Sequence, residues 1–358
     1  MEAMLVQLAL ALDPQIVRPV VICLKGAGVW ANLLAERSIP IHAEQLKHKY
    51  DFRALGRLSR LVEKYEPACL MAVGSGGDRM FWSTLAARRM GVPMIVWSHD
   101  FPSADHLYFE WTNRRLYRYV QTFVALGQQH RQALINREKI PANKLQVIRN
   151  GVDVAKFHCP QKRPEARQLL NINNDETVVI GIIANLRSEK RHDICIEAAA
   201  KIHAQRNNCR FAIVGDGPQR KQIEQLAARH DPEESFISML GECEDLAALI
   251  QGLDLVCLTS QWECLSVTML EAMAAGKAFV APRVGSLDEA LIDGETGRFF
   301  EPLTSDALTD VLIELIDDAG QREALGRQAQ AKVRAEFTVD KMARAFESLI
   351  TDLFKRQV

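Results

Sequence analysis

The stretch SQWECLSVTMLEAMAAGKAFV, Ser260 to Val280, places two carboxylates, Glu263 and Glu271, eight positions apart. An apolar, strand-like run precedes it (LDLVCLTS, Leu253 to Ser260), and Glu271 falls in a short helix that closes at Gly276. A strand, a polar turn and a helix N-terminus form a site for phosphate, because the first turn's N–H groups lack partners and the helix dipole favours negative charge. One acid on either side of that turn would hold both ends of a diphosphate-linked ligand. Each acid also has a plainer reading. Thr268-Met-Leu-Glu271 and Ser260-Gln-Trp-Glu263 both spell a capping box, in which the Glu side chain bonds back to a cap N–H.

Outward from this stretch, short apolar runs alternate with longer helical patterns. Strands are predicted over 19–24, 68–73, 94–97, 122–126, 145–149, 178–184, 209–214, 236–239, 253–258 and 278–281. Most are continuous apolar runs without alternation, as parallel strands buried on both faces require. Amphipathic segments lie between them at 51–65, 193–204, 219–229 and 244–251. The pattern predicts an α/β protein of two Rossmann-like, doubly wound domains facing each other across a cleft. The turn formers and prolines of NGVDVAKFHCPQKRP, Asn150 to Pro164, mark the boundary, giving domains at 1–160 and 161–339. Polar and apolar residues alternate at helical spacing from Ser305 to Arg356, with a break at Phe337 and Thr338 as a fair N-cap. A helix over about 340–358 is expected to pack back on the first domain. A doubly wound domain opens with a strand and a glycine-rich turn, whereas Met1 already stands in or beside the first helix. The first domain is therefore expected to lack its opening strand; either a segment precedes Met1 in the native chain or the protein is truncated and impaired.

The 358 residues are 48% hydrophobic and 25% charged, enough apolar content for two cores. A formal net charge of -1 argues against a protein built to hold nucleic acid. No run of 18 apolar residues occurs, and the start MEAMLVQLALALD lacks the basic region and cleavage site of a signal peptide. Eight scattered cysteines with no CxxC pair read as reduced core residues, so a cytoplasmic protein is expected.

Six motifs in order resemble glycosyltransferase family 4, retaining nucleotide-sugar enzymes of the GT-B fold. They are His99 closing VPMIVWSHD; NGVD at Asn150 to Asp153 with Phe157; ANLRSEK at Ala184 to Lys190; GDGP at Gly215 to Pro218; the Glu263/Glu271 pair with the following AMAAG; and DGETGRFF at Asp293 to Phe300. The resemblance covers nearly the whole chain, most strongly Val178 to Pro302. It implies that Glu271 holds the donor ribose hydroxyls and that Glu263 lies beside the transferred sugar. The amides of Cys264, Leu265, Ser266 and Val267 would bind sugar hydroxyls and phosphate, and Lys190 would neutralise the diphosphate. Gly215 and Asp216 would lie near the base, although turn chemistry alone accounts for Asp216. At the place of the usual phosphate-binding arginine this chain has Asn185, while Arg187 stands two positions later in the same loop, with Arg191 a further candidate. The family's E-G-F-G turn reads Glu263-Cys264-Leu265-Ser266 here, a second departure.

Breaking a sugar–diphosphate bond leaves negative charge on the leaving group, so cations and N–H dipoles must surround it. Lys190, Arg187 and the helix N-terminus after Ser266 meet that need; there is no DxD triplet, and neither a metal nor another cofactor is expected. His99 follows a strand end, where ligands gather in open sheets, and would face acceptor or sugar; a bond to a loop carbonyl is the alternative. Asp100 reads as a turn residue, Asp288 and Glu289 as solvated or capping, and Gly74 to Asp78 as an acceptor-side turn or a plain connection. Trp111 to Arg131 mixes Arg114, Arg115 and Arg118 with Trp111, Tyr117 and Tyr119, a face suited to anionic membrane and a lipid-linked acceptor; a solvated helix face is the simpler reading. The expected partners are thus a UDP- or GDP-sugar donor and a glycan, lipid-linked or small-molecule acceptor, with no nucleic acid. A non-catalytic nucleotide-sugar binder and a GT-B sugar-nucleotide epimerase are the alternatives. A Rossmann dehydrogenase fits poorly, because no G-x-G-x-x-G follows a first strand.

Overall fold

The computed structural model describes residues 2–48, 51–74, 76–101 and 114–355. Met1, Ser75 of the glycine-rich turn, Trp111 of the expected basic face and Arg356 lie outside the described residues. The chain divides into two units, one made of Met1–Gly151 with Val339–Val358 and the other of Val152–Thr338. The first division falls where Asn150 is buried in the NGVD turn, and Val152 donates to Phe337 O at 2.8 Å, closing the second unit on itself. The boundary expected at 160/161 falls inside a 3-10 turn, Pro160–Lys162, of that second unit.

The first unit holds strands β1 (Val21–Ile22), β2 (Ile41–His42), β3 (Leu70–Val73), β4 (Met94–Trp97), β5 (Thr122–Ala125) and β6 (Leu145–Val147). All pairs are parallel, but the sheet comes in two parts: β1 pairs only with β2, and a separate sheet runs β3-β4-β5-β6. The helices are α1 (Glu2–Ala11), α2 (Ala31–Glu36), α3 (Arg53–Tyr65), α4 (Gly77–Met90) and α5 (Gln128–Asn136). Ile22 and Leu24 from the β1 side and Leu70 from β3 pack on one cluster with Leu58 of α3 and Trp82 and Ala86 of α4. Both parts of the sheet therefore share one helical cover without a strand joining them among the described residues.

The second unit has one unbroken sheet in the order β12-β11-β10-β7-β8-β9. Its strands are β7 (Val178–Ile183), β8 (Cys209–Val214), β9 (Ile237–Gly241), β10 (Leu255–Cys257), β11 (Ala278–Pro282) and β12 (Arg298–Phe300), all parallel. Every residue of β7 and β10 is buried, which is why these segments read as uninterrupted apolar runs. The helices are α6 (Val154–Phe157), α7 (Arg163–Leu169), α8 (His192–His203), α9 (Arg220–His230), α10 (Leu246–Gly252), α11 (Val267–Ala274), α12 (Ser305–Asp317) and α13 (Ala319–Glu336). The final helix, α14 (Val339–Lys355), belongs to the first unit. There it buries Met342, Ala343, Phe346 and Leu349, and the Phe346 ring meets Trp97 of β4 edge-on at 4.8 Å.

Two strands escaped the sequence reading. Ile41–His42 has two residues, and Arg298–Phe300 lies inside DGETGRFF, which reads as a turn. A third was displaced. The N–H groups of Phe236 and Ile237 both donate to Asp231 Oδ2 at 2.7 Å while Phe236 O still accepts from Phe211 N–H of β8, and β9 runs from Ile237 to Gly241 beside a bulge.

Candidate active site

In an open parallel sheet, ligands collect at the strand C-termini where the winding reverses. In the second unit that point lies between β7 and β10, neighbours whose chains continue to opposite sides of the sheet. β7 leads into the loop carrying Asn185, Arg187 and Lys190; β10 leads into the loop carrying Glu263 to Ser266. The two loops are laced together. Thr259 donates its hydroxyl to Lys190 O at 2.8 Å, and Gln261 N–H donates to Glu189 O at 2.7 Å.

Across this seam Lys190 Nζ meets Glu263 Oε1 at 2.5 Å, with side chains 22% and 11% exposed. Ser260, fully buried, donates its hydroxyl to the same carboxylate oxygen at 2.7 Å. The sequence assigned these two residues separate tasks and did not foresee that they pair. No local pattern relates positions so far apart; only the adjacency of β7 and β10 brings them together.

Both capping-box readings are corrected. The N-cap of α11 is Ser266, whose Oγ accepts from Met269 N–H at 3.2 Å, so Thr268 and Glu271 lie within the helix. Ser260 caps no helix and instead donates to Glu263. Glu271, freed from capping, has no hydrogen-bond partner for its carboxylate among the described residues. Burial pushes its pKa up to about 7 although part of its surface meets solvent, and the Lys156 charge pulls the other way. Lys156 lies on α6, which packs against α11.

Two glycines bring the supporting loops into contact. A Cβ on Gly285 (φ +55) would stand 1.7 Å from Glu263 O, and one on Gly215 (φ +135) 2.1 Å from Ala184 O. Only glycine tolerates such approach in these conformations. The loop after β11 thus rests on the Glu263 turn, where Ser286 N–H donates to Cys264 O at 2.9 Å. Cys264 and Leu265 bury their side chains, in keeping with a turn that presents backbone.

Arg187 is exposed, with no ion-pair partner among the described residues, and its carbonyl accepts from Lys190 N–H at 3.1 Å. Asn185 is also exposed. Arg191 is committed elsewhere, to Asp193 at 2.7 Å. Asp216 accepts from Gly217 N–H at 2.6 Å and pairs with Arg220 at 2.9 Å; both hold its carboxyl below the usual range, so turn chemistry accounts for it.

His99 lies in the first unit, just past β4, its ring 4.4 Å from that of Trp97. Burial, together with nearby His130 and Arg79, lowers its pKa to about 3, so the imidazole is neutral across the physiological range. The basic face after residue 113 is altered by the fold. Tyr117 is buried, edge-on to Phe123 at 5.0 Å, whereas Arg114, Arg115 and Arg118 stay exposed. Among the described residues no group of three or more His, Cys, Asp or Glu could hold a metal ion, and no helix is long and apolar enough to cross a membrane.

A family profile described as Glycosyl transferases group 1 matches residues 162–332, and one described as Glycosyltransferase Family 4 matches residues 1–156. The alpha-D-kanosaminyltransferase of Streptomyces kanamyceticus is 26% identical over 74% of this chain and 71% of its own. The N-acetyl-alpha-D-glucosaminyl L-malate synthase of Bacillus anthracis is 28% identical over 62% of this chain and 58% of its own. Among solved structures, Anabaena HepE in complex with UDP and glucose superposes with a TM-score of 0.84 at 23% identity, covering 98% of this chain and 95% of that one. WaaG, a glycosyltransferase involved in lipopolysaccharide biosynthesis, gives a TM-score of 0.76 at 15% identity over 98% and 95%. Fold and matches together define a glycosyltransferase of the GT-B type, with two Rossmann-like domains. The chain belongs to glycosyltransferase family 4.

Proposed function

We propose that the protein transfers a hexosyl sugar from a UDP- or GDP-sugar to a glycan, a lipid-linked molecule or a small molecule, with retention of anomeric configuration. The observation that carries this reading is the Lys190–Glu263 pair at the reversal point of the second sheet, beside the N-terminus of α11. The first-turn N–H groups of α11 have no acceptor within the helix, and its dipole favours anions. An arriving diphosphate takes Lys190 from Glu263 and adds Arg187, whose fork suits phosphate. Glu263, released, turns to the sugar, and Glu271 accepts from the ribose hydroxyls. Charge leaving with the diphosphate is then met by groups already in place, which lowers the barrier most when they are preorganised. The neutral imidazole of His99 would accept or donate a hydrogen bond toward an acceptor on the first unit without adding charge. This mechanism assigns charge neutralisation to side chains and amides rather than to a metal. The crystallised relative HepE binds UDP-glucose, and the curated relatives are named for sugar transfer, which supports a nucleotide-sugar donor.

The test is turnover of UDP- and GDP-sugars with and without an acceptor mixture, with the product anomer read by NMR. Transfer with the donor's anomeric configuration agrees with the proposal. Donor turnover to an epimer without acceptor, or transfer with inversion, contradicts it.

A further inference from the structure

Ser260 is fully buried, and its hydroxyl donates to Glu263 Oε1 at 2.7 Å. A buried hydroxyl costs stability unless it is bonded, and a bond to a carboxylate is stronger than one between neutral groups. Lys190 Nζ donates to that same oxygen at 2.5 Å. Two donors thus hold Oε1, and Oε2 accepts from no donor among the described residues.

The chain on either side of Ser260 is fixed. Leu258 N–H donates to Val280 O of β11 at 2.9 Å, and Gln261 N–H donates to Glu189 O at 2.7 Å. Between them Thr259, buried as well, donates its hydroxyl to Lys190 O at 2.8 Å. Ser260 therefore offers its hydroxyl from a braced backbone, whereas Glu263 reaches its place through three side-chain torsions whose ordering costs entropy. The two donors on Oε1 respond differently to an arriving diphosphate. Lys190 is a cation on a flexible four-carbon stem, and phosphate attracts it. Ser260 is neutral and buried, and it stays where it is.

We propose that Ser260 is a positioning residue for transfer. Its hydroxyl keeps hold of one carboxylate oxygen of Glu263 after Lys190 has left for the diphosphate, and the other oxygen accepts from a hydroxyl of the transferred sugar. Thr259 complements it by holding the backbone of Lys190, so both halves of the ion pair stay placed once they separate. The inference rests on the glycosyl-transfer reading for what Glu263 does at the sugar, and on the observed hydrogen bond for the action of Ser260 through Glu263.

The test titrates the full chain by calorimetry with UDP-glucose, UDP-N-acetylglucosamine and GDP-mannose, and with UDP and GDP alone. For a nucleotide sugar that binds the parent, Ser260→Ala is expected to weaken affinity about fivefold or more, the usual effect of losing one hydrogen bond to a charged group. Affinity for the matching bare nucleotide should change less than about twofold, because only the sugar meets Glu263; a general loosening of the loop would weaken both ligands alike. In a Glu263→Ala background the same substitution should cost less than about twofold for either ligand, since coupled residues lose their effect together. Equal weakening of both ligands, no weakening of the nucleotide sugar, or an undiminished effect in the Glu263→Ala background overturns the positioning role and leaves the transfer reading standing. A parent that binds none of the nucleotide sugars overturns the transfer reading, and the role of Ser260 falls with it.

Discussion

The two units start from the same alternation of strand and helix and arrive at different sheets. In the second, six parallel strands pair without a gap, and the loops at the reversal point converge on one ion pair. In the first, two strands stand apart from four, held by a shared helical cover instead of a ladder. The unbroken sheet fixes its loops through neighbouring strands on both sides. The interrupted one compensates with long-range side-chain contacts, of which the Trp97–Phe346 pair is the plainest, and with hydrogen bonds such as Asp13 N–H to Glu347 Oε1 at 2.7 Å. The difference teaches where each unit is vulnerable: the second in its loop chemistry, the first in what clamps its sheet.

The largest expected effect attacks the clamp. Phe346→Ala removes a fully buried ring and should cost the first unit about 3–5 kcal/mol. Denaturant unfolding followed by tryptophan fluorescence reads it, because Trp30, Trp82, Trp97 and Trp111 all belong to that unit and only Trp262 to the other. Nucleotide-sugar affinity should stay within twofold or so, because the clamp belongs to the first unit and the reversal point to the second. Next comes the loop chemistry. Lys190→Ala should slow transfer on the order of a hundredfold, the usual result of deleting one preorganised stabiliser of transition-state charge, with little change in melting temperature.

A smaller effect separates charge from shape at Glu271. Its folded pKa, about 7, lies above its ordinary 4.5. The contribution of this group to stability is therefore fully present below pH 4.5 and lost as pH rises through 7. Glu271→Gln escapes that loss, so its melting temperature should gain on the parent's between pH 4 and pH 8. Donor binding runs the opposite way: it needs the ionised carboxylate and should weaken in the parent from pH 8 to pH 6 but not in the variant. The smallest effect belongs to Asp216→Ala. An acid committed to its own turn and to Arg220 should shift nucleotide-sugar affinity less than threefold, and a tenfold loss would return it to the donor site.

Legibility in the sequence followed the length of each apolar run rather than the unit, and β4 at Met94–Trp97 was placed to the residue. The second unit's strands are continuous apolar runs, so most were placed within a residue or two, and β8 at Cys209–Val214 was placed to the residue. In the first unit β1 falls inside the predicted 19–24 but keeps only two residues, and β2, also of two residues, is too short for any period to show. Glu263, Glu271 and Lys190 stood out by spacing and resemblance, but capping boxes fitted the same letters. The cap was decided by Ser266, one residue before the apolar turn of α11 begins, which the pattern could not rank above Thr268. Tyr117 looked like a surface aromatic among arginines because its burial depends on Phe123, on a different element.

The central claim is that the second unit alone grips the diphosphate of an activated sugar, through the loops after β7 and β10 and the start of α11. Hydrogen–deuterium exchange with and without a saturating UDP- or GDP-sugar tests it most directly. The account predicts strong protection over residues 185–191 and 259–271, abolished in Lys190→Ala/Glu271→Ala. Protection confined to the first unit, or unchanged in the double variant, would contradict it.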